Sequence, residues 1–311
     1  MSETLIAATS EFSTLFPAGA ALERVATGFV WAEGGVWVPG ANELRFSDIP
    51  NNRIMAWSPE TGLRTFRQPS QRTNGHTLDL SGAMVSCEHG GRCVSRTTAD
   101  GTYEVLATHW QGKRLNSPND VVVKSDGSIW FTDPPYGILT DYEGHKAEIE
   151  QDGCHVYRID GESGVLTIVA DDFVKPNGLA FSPDERILYI ADTGASHDPV
   201  HGPRHIRACD VSADGTRLTG SRVFATCTAG LFDGFRLDVE IDFDTPAIGR
   251  QRKIFELDPQ AYAREIAELS RQGQALAGAR WSIRLRYRAL RLARHHRKLR
   301  RAQQKGPENR P

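Results

Sequence analysis

Little in this sequence suits a disulfide-stapled, membrane-spanning or redox protein. Only five of its 311 residues are cysteine, and Cys87, Cys93, Cys154, Cys209 and Cys227 form an odd, scattered set with neither metal-type nor redox spacing. They read as reduced side chains of a cytoplasmic protein, although Cys87 and Cys93 flank a Gly90-Gly91 turn across which they could pair. No apolar run approaches the roughly 18 residues that suggest a membrane span. The start, MSETLIAATSEFSTLF, lacks the basic flank and long apolar core of a signal peptide. Net charge is also small, −2, but that total hides an asymmetry. Residues 1–240 hold 20 Lys+Arg against 32 Asp+Glu, whereas residues 241–311 hold 17 against 7. Opposite charge habits argue against one repeat array and divide the chain into a domain over 1–240 and a divergent basic segment over 241–311.

What is present is a repeat. Asn119–Pro135, NDVVVKSDGSIWFTDPP, has a polar head, a β-branched strand, an Asp126-Gly127 turn, a second strand and an acidic end. Asp-Gly between two apolar runs is a strong hairpin signal and predicts a type I′ turn. The same order recurs at 33–48, 74–88 and 177–192, and Asp233-Gly-Phe-Arg-Leu-Asp begins a fifth copy. The heads at 33, 74, 119, 177 and 233 are 41, 45, 58 and 56 residues apart. A period of about 40–50 residues with several short strands per repeat is the signature of a β-propeller, whose blades must pack on one another to bury their faces. The expected fold is therefore all-β. A lead-in strand is expected over Leu22–Val30, and polar surface loops over Tyr136–Gln151 and Thr193–Arg204.

Innermost propeller strands line a central channel, so the heads Glu33, Asn74, Asn119, Asn177 and Asp233 would converge there. Two explanations fit them. Asn or Asp before Gly suits a turn, which a repeat needs in any case. Alternatively, two carboxylates and three amides in one channel would leave lone pairs unmet unless a hard cation bound them; Ca²⁺ takes six to eight oxygen ligands of this kind. Cys or His ligands do not recur at the heads. A few protein oxygens would leave positions open for water and substrate, as metal-assisted catalysis requires.

The motifs WAEGGVW, RTNGHT, CEHGGR, GKRLNSPNDVVVKSDGSIWFTDPPYG, KPNGLAFSPDE, YIADTG and LFDGFRLD resemble the senescence-marker-protein/gluconolactonase family over about residues 20–240. The resemblance implies a six-bladed propeller with one divalent cation that hydrolyses sugar lactones. Ca²⁺ is the first expectation, with Zn²⁺, Mn²⁺ and Mg²⁺ as other candidates. It places the metal ligands at Glu33, Asn177 and Asp233, makes Asp233 also the catalytic acid or base, and puts a substrate contact at Asn119. The family's substrate-binding Arg is Ser117 here, so Arg114 becomes the candidate replacement; Asn74 and His76 are further substrate-binding candidates. Gly35 stands where the family usually has Pro. A non-catalytic binding propeller and an organophosphate- or aryl-ester-hydrolysing propeller are the competing readings.

Other polar residues look structural. His89 and Asp133 read as turn-fixing groups. His197, His201 and His205 have a helical spacing of four, but Gly202 and Pro203 break any helix there, so a surface loop is expected. Past residue 240 the expected sixth blade does not follow. Residues 259–271 look helical, and Trp281, Leu285, Ala289, Leu292, His296 and Leu299 form one stripe of an amphipathic helix. VEIDFDTPAIGRQ faintly resembles a piece of the zinc-dependent deacetylases of lipid A synthesis, without their zinc histidines. The Arg-rich helix would suit nucleic acid or an acidic surface, and Gln303–Pro311 reads as a disordered tail. A propeller lacking its last blade, or with it replaced by this segment, would bind metal and turn over substrate less well than an intact relative.

Overall fold

The computed structural model describes residues 24–228 and 230–237, together with the backbone of Glu3–Thr4 and Ala21–Leu22. Four four-stranded antiparallel sheets follow one another as propeller-like blades. Blade one is Ala32–Val38, Glu43–Asp48, Arg53–Ser58 and Gly62–Arg67. Blade two is Thr73–Leu78, Met84–Glu88, Cys93–Thr97 and Tyr103–Ala107. A two-stranded ribbon, His109–Trp110 with Lys113–Arg114, precedes blade three. That blade is Val121–Val123, Ile129–Thr132, Cys154–Ile159 and Leu166–Phe173. Blade four is Pro176–Phe181, Ile187–Asp192, His205–Val211 and Leu218–Thr226. The first strand of each blade lies against the first strand of the next, which makes these the inner strands. A sixth blade, the helices expected over 259–299, the basic surface and the tail all fall outside the described residues.

Alternation along the strands supplies the interblade cores. In blade three, Ile129 and Phe131 face Val85, Cys87 and Val94 of blade two. Trp130, between them, turns the other way onto Leu179, Leu188 and Ile190 of blade four. Successive strand residues point to opposite faces, so both faces of a middle strand must be apolar, as IWF is. Blade four repeats the pattern, placing Tyr189 and Ile206 against Phe232, Phe235 and Leu237 at the start of the fifth repeat.

Three local expectations are corrected. The Asp126-Gly127 connection is not type I′: of its two central residues only Gly127 takes positive φ, 81°, and the loop closes through Lys124 N–H to Ser128 O at 2.9 Å. Residues 24–30 form no strand; the Asp48 carboxylate holds that segment instead by accepting the Val30 and Trp31 N–H groups. The 136–151 insertion is more than a loop. It opens with one helical turn, Tyr136–Leu139, whose Gly137 and Ile138 are buried. It then reaches back over blade two, where Arg72 donates to the Tyr142 carbonyl at 3.1 Å. All five cysteines are free, so Cys87 and Cys93 do not pair.

Candidate active site at the blade heads

The heads of the four described blades each sit in a β-bulge. Between the register pairs Thr73↔Glu88 and His76↔Ser86 the inner strand of blade two advances three residues while its partner advances two. Blade four does the same between Pro176↔Asp192 and Leu179↔Ile190, and blade one has one extra residue between Glu33 and Val36. In blade three Asn119 and Asp120 both bond to Thr132. A bulge bends its strand and re-aims a side chain. Here the same device acts on Glu33, Asn74, Asn119 and Asn177.

Gly34 takes the left-handed φ of a turn glycine, 62°, but the glycines after the heads of blades two and four do a different job from the one their turn-like sequence suggests. Neither Gly75 nor Gly178 adopts left-handed φ. A Cβ on Gly34 would overlap the carbonyl of Asn74, one on Gly75 would lie 2.6 Å from the carbonyl oxygen of Asn119, and one on Gly178 would overlap that of Asp233. Glycine is needed because the next head's backbone occupies the place of its side chain. Gly75 N–H also donates to Asn119 O at 2.8 Å. The heads are thus stacked backbone to backbone.

The acidic strand ends explain how the chain is delivered to these heads. Asp48 receives the Val30 and Trp31 amides at 3.0 and 3.2 Å. Asp192 receives those of Val174 and Lys175 at 2.9 and 3.0 Å, and Asp133 that of Asn116 at 2.8 Å. Asp133 is fully buried, and desolvation pushes its pKa up to about 7. In blade two the equivalent Glu88 turns instead to Arg67 at 2.9 Å and Ser95 at 2.7 Å.

Glu33 and Asp233, at opposite ends of the described propeller, come together. Loss of surrounding water pushes Glu33 up to about 7, with the negative charge of Asp233 and then that of Asp120 adding to it. Asp233 is open to solvent on one side and hemmed in by protein on the others; this desolvation raises its pKa, and Asp120 raises it further. Asn177 hydrogen-bonds the Asp233 carboxylate, and the Trp31 indole N–H donates to Glu33 Oε1 at 3.1 Å. Asn74 and Asn119 are largely buried at neighbouring heads, and the Asn74 amide lies 3.3 Å from His89 Nε2.

Two candidates lie elsewhere. The His76 ring is fully buried, with Nε2 2.8 Å from Ser47 Oγ and Nδ1 2.8 Å from Ser86 Oγ, so it links blades one and two and does not line the channel. Burial pushes its pKa down to about 3, which keeps it neutral. Arg114 is half-buried in the ribbon before blade three, donating to the Gly91 carbonyl at 2.9 Å. The histidines of the 197–205 loop do not converge: His197 packs on the Tyr136 ring, His201 pairs with Asp198 at the surface, and His205 begins a strand.

Three residues join the site that motif reading passes over. Asp120 follows a head where the other repeats have glycine; its Oδ1 takes the Val121 amide at 2.9 Å and its Oδ2 the Leu179 amide at 3.4 Å. Arg236 lies 3.6 Å from Asp120. Tyr136, at the root of the insertion, has its pKa raised by burial and then by the Asp233 charge, while its hydroxyl bonds Thr193 at 2.5 Å. Asp120 had a visible signal, the break in the head-Gly pattern, whereas Tyr136 and Arg236 had none at sequence level.

A hard divalent cation suits this donor set. Two carboxylates with raised pKa values, one of them raised by the other's charge and one bonded by an amide, gain most from a charge that replaces the proton each would otherwise hold. Among the described residues no group of three or more His, Cys, Asp or Glu side chains is arranged for a metal, so any such centre must draw on amide oxygens.

Residues 31–272 match the family model described as SMP-30/Gluconolactonase/LRE-like region, a stretch that extends past residue 240, where the sequence motifs stop. The chain is 31% identical over 233 residues to a gluconolactonase of Zymomonas mobilis, covering 70% of this chain and 64% of that protein. It thus spans under two thirds of that relative's length. An X-ray structure provisionally described as a gluconolactonase superposes with a TM-score of 0.68 at 41% identity, covering 76% of this chain and 78% of that one. A gluconolactonase from Xanthomonas campestris gives 0.62 at 38% identity, covering 68% of each chain. With the matched region spanning well over half its length, the chain belongs to the SMP-30/gluconolactonase/LRE-like family.

Proposed function

We propose that this protein hydrolyses sugar lactones with the help of one divalent cation, Ca²⁺ before Mn²⁺, Mg²⁺ or Zn²⁺, held by Glu33, Asn177 and Asp233. The observation that carries this reading is the meeting of Glu33 and Asp233 at the blade heads, each carboxylate sensing the other or its neighbour Asp120. The relatives named as gluconolactonases point to the same substrate class. When bound, the cation would polarise the lactone carbonyl and stabilise the negative charge that develops on its oxygen.

The protein's own groups then have distinct tasks. Asp233 takes the proton of the attacking water on its carboxylate, and the Asn177 amide holds that carboxylate in orientation. Glu33 is fixed by the Trp31 indole N–H. Asn119 and Asn74 offer amides to the hydroxyls of the sugar.

The test is a pH-stat assay on glucono-δ-lactone and a pentonolactone, before and after chelation and with Ca²⁺ or Mn²⁺ restored. Chelation is expected to abolish turnover and added metal to restore it. Asp233→Asn is expected to lower kcat by about 10²-fold or more, the usual contribution of a positioned base. Turnover indifferent to both chelator and Asp233→Asn, or no turnover above the spontaneous rate, would instead leave a binding propeller whose heads serve only to pack.

A further inference from the structure

Arg236 lies three residues beyond the head Asp233, and its guanidinium reaches away from its own repeat. Nη2 donates to the carbonyl of His76 at 3.4 Å, and Nη1 stands 3.6 Å from Asp120 Oδ2. His76 is two residues beyond the blade-two head and Asp120 directly follows the blade-three head. One half-exposed side chain from the fifth repeat therefore bridges the inner strand of blade two and the residue that follows the head of blade three. The carboxylates of the centre are Glu33, Asp120 and Asp233, each close enough to another of the three to raise its pKa or have its own raised. Arg236 is a positive side chain set against Asp120, and its charge favours the ionised form of that carboxylate, as do the Val121 and Leu179 amides.

With all three carboxylates ionised, the centre carries three negative charges and one positive, a net of −2. We propose that Arg236 is a built-in counter-charge that tunes the head centre to a doubly charged cation and disfavours a triply charged one. Without it, the site would present three uncompensated carboxylates, and Coulomb attraction grows in proportion to the charge of the ion. The guanidinium suits this role because it stays protonated in any surroundings and donates in a fixed plane to the His76 carbonyl while facing Asp120. This inference rests on the metal reading above, and it assigns Arg236 as a specificity-determining positioning residue, not a ligand.

The experiment compares cation affinities in the full chain, Ca²⁺ by calorimetry and Tb³⁺ by sensitised luminescence, for the wild type, Arg236→Met, Arg236→Lys and the pair Arg236→Met with Asp120→Asn. Arg236→Met is expected to raise Tb³⁺ affinity relative to Ca²⁺ by about tenfold, the effect of one unit charge near a partly buried ion. Arg236→Lys, which keeps the charge, is expected to hold the wild-type ratio, and the double variant, again net −2, to return to it. An Arg236→Met ratio equal to the wild type's, with both affinities changed alike, would mean that Arg236 only supports the fold and would overturn the inference while leaving the metal reading intact. Wild-type protein that binds neither ion in a Glu33- and Asp233-dependent way would bring down both.

Discussion

Blades three and four carry the same bulge at the same place but secure it differently. In blade four the head Asn177 is followed by Gly178, which lets the backbone of the Asp233 head approach until no side chain fits between them. In blade three the head Asn119 is followed by Asp120, and the step to blade four is bridged by side chains: Thr132 Oγ1 donates to the Asn177 carbonyl at 2.8 Å, and Asp120 receives the Leu179 amide. The geometry of the head is thus maintained by two means, one steric and one electrostatic. Only the second adds a charge to the centre, and only the second needs a counter-ion such as Arg236.

Substitutions can break this comparison. Gly178→Ala or Gly75→Ala drives a methyl group into a neighbouring backbone, which cannot yield as a side chain would. We expect a loss of about 2–3 kcal/mol or more in urea unfolding, and an alanine variant as stable as the wild type would refute the close-approach account. Removing the electrostatic bridge should cost less. Thr132→Val deletes the bond to the Asn177 carbonyl and the acceptor used by the Asp120 amide, with an expected cost of about 1–2 kcal/mol in the same titration.

The strand-end clamp of blade three allows the finest test. Asp133 is buried with its pKa pushed up to about 7, from 3.8. Between those values the folded protein keeps a proton that the unfolded chain has lost, so this group makes stability fall as pH rises from about 4 to about 7. Asp133→Asn removes that dependence. Its stability relative to wild type should therefore climb across the same interval, by about 1 kcal/mol or more, when denaturation midpoints are compared at pH 4.5 and 7.5. A constant difference between the two proteins would show that Asp133 is ionised throughout.

The repeat was readable because it is written in local chemistry. Alternating apolar residues and Asp-Gly or Pro-Asp turns recur in VVVKSDGSIWF and LAFSPDERILYI, and each becomes an antiparallel hairpin. The exact turn was not: Asp126-Gly127 suggested a two-residue connection, but Lys124 and not Ser125 stands opposite Ser128, so three residues connect the strands and only Gly127 needs the left-handed region. His76 misled for a similar reason. Its place two residues after a head suggested the channel, yet the bulge at Asn74-Gly75 turns the ring inward to the hydroxyls of Ser47 and Ser86. Asp120 was visible as part of a polar head, but nothing in a single sequence says that residue 120 faces Arg236, 116 positions later.

What the amino-acid order settled by itself was the blade: period-two patterning and turn residues act over a few neighbours, so they survive without knowledge of the rest of the chain. It also marked Glu33, Asn177 and Asp233 as equivalent positions, since a repeat carries its own register. Tertiary structure alone decided which side chains share a channel, that the glycines after Asn74 and Asn177 admit a neighbouring backbone, and that an arginine from the fifth repeat faces Asp120. Those outcomes depend on contacts between residues tens to hundreds of positions apart, where excluded volume and charge act through space and leave no local trace.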